Sequence, residues 1–209
     1  MSSTPTRIYL VRHGGTTSSD ANRFAGAGDP ELSDAGRSQA AALGKRLATT
    51  QIDAAYCSDM KRAIATAHAI CDPHHLTPTP LPALREINHG HWEGQIHSDV
   101  EQKFADEYAA WSADPLGYAP PGGETGLSVL SRSLPAITQI VRQHPGQSVL
   151  VVSHTATNRL LLCGLAGIDP RRYRDRLGQD LACLNIIDFK DPATPRVVRI
   201  NDISHYAQP

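Results

Sequence analysis

The chain has 209 residues, 40% of them hydrophobic and 20% charged, with a formal net charge of −1. That balance excludes a disordered chain and fits one well-filled domain over residues 1–209. It also gives no reason to expect a nucleic-acid or acidic-membrane partner.

Residues 7–12 (RIYLVR) read as a buried strand ending in Arg12-His13-Gly14. Residues 34–49 read as a helix, with Ser33 as its N-cap and Leu43 and Leu47 on one face. Residues 53–58 make a second short strand, and Ser58 is expected to cap a helix running to Ile70, stopped by Asp72-Pro73. "PHHLTPTPLP" is Pro-rich and extended, and residues 83–87 are taken as a third strand. Residues 97–111 read as a helix and "DPLGYAPPGGE" as a loop, so 97–125 is the region expected to close over a site. A helix over 125–143 carries Pro135, which is expected to kink it. "SVLVVS" (148–153) is the clearest buried strand, ending in Ser153-His154, and the helix after it closes near Gly167. Stretches 182–189 and 196–201 are joined by a loop too short for a helical crossover, so they should pair antiparallel at an edge.

Alternating strands and helices predict a three-layer α/β/α fold with a mostly parallel sheet and an antiparallel edge strand. No run approaches the roughly 18 apolar residues of a membrane span, and the polar start "MSSTPTR" lacks a signal-peptide core, so the expectation is cytoplasmic. Cys57, Cys71, Cys163 and Cys183 form no C-x-x-C pair and are expected to be free, buried thiols. The sequence leaves the oligomeric state open, and a homodimer is compatible with it.

Parallel sheets bind ligands beyond the carboxyl ends of their strands. Arg12 and His13 sit at one such end, His154 at another, and Arg62 one turn past a third. Each alone has an ordinary structural explanation, but together they describe a cationic pocket suited to a phosphate dianion. Backbone N–H groups of the following helices should add to it. His89, His91 and His97 invite a zinc reading, but they lack a helical ligand pattern, and no metal site is assigned. The chain has neither a G-x-x-x-x-G-K-[ST] phosphate loop nor a G-x-S-x-G elbow around Ser153.

"LVRHG", "DPELSDAGRSQAAALGKRL", "AYCSDMKRAIATA", "LREINHGHWEG", "GGE" and "VLVVSH", in that order, resemble the histidine phosphatase superfamily, which includes the phosphoglycerate mutases. The resemblance implies His13 as a nucleophile that becomes a phosphohistidine, with Arg12, Arg62 and His154 gripping the phosphoryl oxygens and Glu86 as the acid. It implies no cofactor and no metal. Substrate contacts are expected from Ser19, Gly26, His89, Thr155 and His205. The length and "EINHGHWEG" resemble the phosphatase branch more than the mutases. His89 and the tail "INDISHY" resemble metal-independent phosphoserine phosphatases of bacteria, so phosphoserine leads. α-Ribazole-phosphate and sugar-phosphate phosphatases share much of the pattern, and a mutase is a further alternative. A non-catalytic phosphate- or phosphopeptide-binding module is the reading from another class. One departure stands out: Gly15 and Ser19 occupy places where the family usually has Glu and Asn.

Overall fold

The computed structural model describes residues 4–20 and 22–206. Among these the strands are β1 (Thr6–Arg12), β2 (Ala54–Cys57), β3 (Thr79–Pro80), β4 (Ser148–Ser153), β5 (Leu184–Phe189) and β6 (Pro195–Asp202). They form one sheet in the order β3-β2-β4-β1-β5-β6. Neighbours from β3 to β1 run parallel, while β5 is antiparallel to both β1 and β6. The expected mixed sheet with an antiparallel edge is therefore present.

The helices are α1 (Thr17–Asp20), α2 (Asp34–Leu47), α3 (Lys61–Cys71), α4 (His97–Lys103), α5 (Ala105–Ala113), α6 (Gly126–Gln143), α7 (Thr155–Ala166) and α8 (Tyr173–Arg176). The period-2 geometry of a strand sends alternate side chains to opposite faces. Ile8, Leu10, Val149 and Val151 accordingly pack on one side against Val129, Ile137 and Ile140 of α6 and Leu160–Leu162 of α7. Tyr9, Val11, Leu150 and Val152 pack on the other against Leu43 and Leu47 of α2 and Ala63, Ala67 and Ile70 of α3. The three layers are thus two helical layers on a sheet apolar on both faces, as a largely parallel sheet must be.

A smaller cluster of Phe24, Trp92, Val100 and Trp111 holds α4 and α5 together with the loop around Phe24. All four cysteines are free and buried. Burial pushes the Cys57 thiol up to about 12 and the Cys163 thiol to about 11, which keeps both protonated and unreactive.

Several local expectations need correction. Residues 83–87 are not a strand. The third strand is only Thr79–Pro80, followed by a 3₁₀ turn over Pro82–Leu84. Prolines at 78, 80 and 82 remove the donors a longer ladder needs. The 97–111 helix is broken at Phe104, whose backbone (φ −125°, ψ 46°) leaves the helical region while its ring packs on the small aromatic cluster. Ser58 is not the cap of α3; Met60 holds that position, and Asp29 accepts from the Lys61 N–H at 2.8 Å. Ser33 does cap α2, accepting from Gly36 N. α6 continues through Pro135 as one element, and α7 closes on Gly167 at φ 70°.

Candidate active site

Strand register assembles the floor of the site. β1 and β4 pair with Arg12 opposite Ser153, so His13 and His154 emerge side by side. Their ring centroids are 5.0 Å apart. β2 pairs with β4 through Cys57 and Val152, which brings the start of α3, and Arg62 with it, to the same edge. Residues far apart in the chain thereby meet at the carboxyl end of three adjacent strands.

The His13 Nδ1 lies 2.7 Å from the carbonyl oxygen of Gly14. That contact requires Nδ1–H, which leaves Nε2 with a free lone pair. The Arg62 Nε–H points at it from 3.3 Å and at His154 Nδ1 from 3.2 Å. Burial, then the Arg62 and Arg12 charges, drives His13 well below its ordinary pKa. His154 moves the same way, through burial and then the charges of His13 and the arginines. Both rings are therefore neutral at physiological pH, as a nucleophilic imidazole must be. His154 Nε2 is buried with no partner among the described residues.

Arg62 is only 1% exposed. Its Nη atoms donate to the carbonyl oxygens of Gly28 (2.7 Å), Ala25 (3.2 Å) and Gly26 (3.0 Å). The planar fork thus grips backbone, and Nε–H is the donor that faces the rings. The carbonyl loop is itself held by Glu93, whose carboxylate accepts from the N–H groups of Gly26, Ala27, Gly28 and His89 at 2.8–3.2 Å. Arg12 donates to Gln179 O at 2.6 Å and keeps Nε buried without a partner among the described residues. Gly14 is required for close approach: a Cβ there would lie 2.4 Å from the Gly36 carbonyl oxygen.

Glu86 lies in the loop after the Pro82–Leu84 turn, lines the cavity and sets its carboxylate against the N-terminus of α7. Its oxygens accept from Ile87 N (3.0 Å), Ala156 N (3.1 Å), Thr157 N (3.2 Å) and Thr157 Oγ1 (3.3 Å). This corrects one expectation. The amides of Ala156 and Thr157 hold Glu86, and the Lys61 amide holds Asp29, so these helix N-termini are occupied by side chains of the protein.

A cavity of about 650 Å³ opens over this floor, lined by Arg12, His13, Ser19, Glu86, His89 and Thr155 among others. Ser19 Oγ is tied to Thr16 at 3.0 Å. Two expected contacts are not on the lining. Gly26 lies behind it, with its N–H on Glu93 and its carbonyl on Arg62. His205 turns toward Arg46, 3.5 Å away, because Asp202 pins the tail to α2 through an Arg46 ion pair at 2.6 Å. The tail does reach the cavity, but through Ile203 and Tyr206, whose hydroxyl donates to Leu181 O at 2.6 Å.

The histidines weighed for zinc are divided among other partners: His91 lies 3.0 Å from Glu107, and His97 stacks on Phe24 with centroids 3.8 Å apart. No group of three or more metal-binding side chains is found among the described residues.

Arg159, Arg174, Trp111 and Tyr173 also line the cavity, although sequence reasoning did not select them. Arg159 had a usable signal, since it lies one turn into the helix after His154 as Arg62 does after Ser58. Arg174 had none: it sits in a basic surface-like run, and only the placement of α8 turns it inward.

The family model of the histidine phosphatase superfamily (branch 1) matches residues 8–203. The chain belongs to this superfamily. It is similar to Phosphoserine phosphatase 1 of Hydrogenobacter thermophilus, 29% identical over 97% of this chain and 95% of the relative. It is also similar to the adenosylcobalamin/alpha-ribazole phosphatase of Escherichia coli, 31% identical over 92% and 95%. Among solved structures, Bacillus stearothermophilus YhfR superposes with a TM-score of 0.90 at 32% identity, covering 96% of this chain and 98% of that one. The histidine phosphatase chain is an enzyme, a phosphoric monoester hydrolase, and the reading as a non-catalytic binding module is set aside. No helix among its described residues is long and apolar enough to cross a membrane.

Proposed function

We propose that the protein hydrolyses a small phosphorylated metabolite through a phosphohistidine on His13, without a metal ion, and that phosphoserine is the leading substrate. The observation that carries this reading is the His13 ring itself. Its Nδ1 is fixed at 2.7 Å on the Gly14 carbonyl and its Nε2 lone pair faces the cavity beside Arg62 and His154.

In the first step His13 Nε2 forms a bond to phosphorus as the ester P–O bond breaks. Glu86 gives its proton to the leaving oxygen. The incoming phosphoryl group draws the Arg62 Nε–H and His154 Nε2–H onto its oxygens, which releases the His13 lone pair for attack. In the second step Glu86 takes a proton from water, the water oxygen attacks phosphorus, and the P–N bond breaks to give inorganic phosphate. Arg12, Arg62 and His154 stay in place throughout, so the developing charge meets donors that need no rearrangement. Ser19 and Thr155 border the phosphate, and residues 97–125 close the outer side.

Phosphoserine is supported by the similarity to the Hydrogenobacter phosphatase and by His89 on the cavity lining. A second reading is favoured by the size of the cavity and by its aromatic wall of Phe24, Trp111 and Tyr173. Those features suit a bulkier ester, in line with the similarity to the glucosyl-3-phosphoglycerate phosphatase of Mycolicibacterium vanbaalenii, 33% identical over 78% of this chain and 75% of the relative.

The test is a panel of phosphoserine, 3-phosphoglycerate, sugar phosphates, α-ribazole phosphate and p-nitrophenyl phosphate, each assayed with chelator present. Phosphoserine should show the highest kcat/KM. A flat profile would reject it as the substrate. Loss of all turnover in chelator would reject the metal-free mechanism.

A further inference from the structure

We propose that Gln179 and Asn185 are positioning residues for Arg12: a buried, uncharged amide pair that fixes the guanidinium for the phosphoryl group and leaves its charge uncompensated. The inference rests on the phosphatase reading of the floor and adds two residues to it.

The first observation is where the amides sit. Asn185 lies on β5 directly opposite Leu10 of β1, next to the apolar pair of Ile8 and Ile187 on the same sheet face. It is fully buried, and Gln179, in the loop before β5, is 3% exposed. Burying an amide among apolar side chains is unfavourable unless its polar atoms find partners. The Asn185 amide is saturated. Its Nδ2 donates to Leu10 O and to Gln179 Oε1, both at 3.0 Å. Its Oδ1 accepts from Gln179 Nε2 at 2.8 Å and from Asn201 N of β6 at 2.9 Å. An amide offers two donors and two acceptor sites, and all four are used. The second Gln179 N–H donates to the Gly178 carbonyl at 2.8 Å.

The second observation is what the pair holds. The Gln179 carbonyl oxygen accepts from Arg12 Nη1 at 2.6 Å. The same loop is docked on the end of β1 through backbone. Arg12 N–H donates to Cys183 O at 3.2 Å, and Ala182 N–H donates to His13 O at 3.1 Å. Ala182 makes that contact from a left-handed backbone, φ 51°, which alanine rarely adopts and surrounding contacts must enforce. Side chain and backbone of Arg12 thus depend on one short loop, and the amide pair ties that loop to β1 and β6 at once.

The third observation is the kind of partner. Arg7, Arg85 and Arg132 are held by the carboxylates of Asp188, Asp59 and Glu124. Arg12 is held by a carbonyl oxygen and forms no ion pair among the described residues; its Nε is buried with no partner among them. A carboxylate would fix the guanidinium as firmly but would neutralise it. A neutral network fixes it and leaves charge and a donor for a dianion.

The test is a double-mutant cycle with Arg12. Dissociation constants for inorganic phosphate are measured by calorimetry, and kcat/KM is measured for p-nitrophenyl phosphate, with circular dichroism as the check on folding. Gln179→Met keeps the side-chain length and removes its hydrogen bonds. It should weaken phosphate binding and lower kcat/KM by about tenfold each. In an Arg12→Gln background the same substitution should change either quantity by under about twofold, because the residue it acts through is gone. Asn185→Leu should behave alike. Gln179→Glu keeps the shape and serves where the apolar variants do not fold. It brings a negative charge behind Arg12 and should weaken phosphate binding by about tenfold, again only while Arg12 is present. Unchanged phosphate binding in the folded variants, or equal losses with and without Arg12, would overturn the positioning role. A wild type that shows the Arg12-dependent loss of binding but cleaves neither phosphoserine nor p-nitrophenyl phosphate would defeat the hydrolase reading and leave this role standing. Full turnover with phosphate binding unchanged in the variants would do the reverse.

Discussion

The floor and the wall of one cavity are built by different rules. On the floor, His13, Arg62 and His154 are almost fully enclosed, and most of their polar atoms are tied to backbone or to one another. On the wall, Arg159 and Arg174 are half-buried and free of ion pairs among the described residues. The floor comes from three adjacent strand ends, whose spacing the ladder sets. The wall comes from α5, α7, α8 and the loop at His89, which meet only through packing. On the proposed reading, chemistry common to phosphate esters belongs on the first, and discrimination between esters on the second.

The sharpest way to test that division is to remove the proposed nucleophile. His13→Ala should abolish turnover of every ester, by on the order of 10³-fold or more, because the covalent route is lost. An effect confined to one substrate in steady-state assays would put His13 on the discriminating side instead. Next in size, Glu86→Gln should slow esters of poor leaving groups by about 10²-fold while affecting p-nitrophenyl phosphate less, since that leaving group needs no proton. Equal losses on both would count against Glu86 as the acid.

The buried imidazoles also set a pH dependence of stability. Their folded pKa values lie below the ordinary 6.5. Between the folded value and 6.5 the unfolded chain binds more protons, so stability is complete above pH 6.5 and declines as pH falls below it. From pH 7 to pH 5 the pair of histidines should lower the stability of the fold. Urea unfolding of wild type and of a His13→Asn/His154→Asn variant at both pH values measures this, and the variant should lose less. A wild type as stable at pH 5 as at pH 7 would contradict a floor of neutral rings.

Smaller effects probe how the floor is braced. Glu93 acts at one remove from the chemistry, by holding the 26–28 loop whose carbonyls orient Arg62. Glu93→Gln should lower kcat about tenfold for all esters alike, with KM less affected, as expected for a positioning residue. A loss confined to one ester would mean that it acts on the wall. Smallest of all is Gly15→Glu, which restores the residue usual in the family. A Cβ at Gly15 would meet the side chains of Leu181 (3.3 Å), Ser33 (3.4 Å) and Gln39 (3.5 Å), all of which can yield, so kcat should stay within about tenfold, or about 1.4 kcal/mol.

The meeting of His13 with Arg62 and His154 and the layered fold were legible in the linear order of residues. Strand periodicity and the strand-end positions of Arg12-His13 and His154 are local properties, and parallel pairing with Arg12 opposite Ser153 brings those ends together. Ser33 and Gly167 were readable for the same reason, because a cap depends on its own turn. What stayed hidden depended on contacts between distant segments. The break at Phe104, the turning of Arg174 onto Trp111 and the diversion of His205 toward Arg46 each follow from packing that no window of sequence contains. Sequence alone therefore determined which imidazole is the candidate nucleophile, since His13 rides on regular backbone. Tertiary structure decided which side chains surround the rest of the ester, since loop and helix packing orients them one by one.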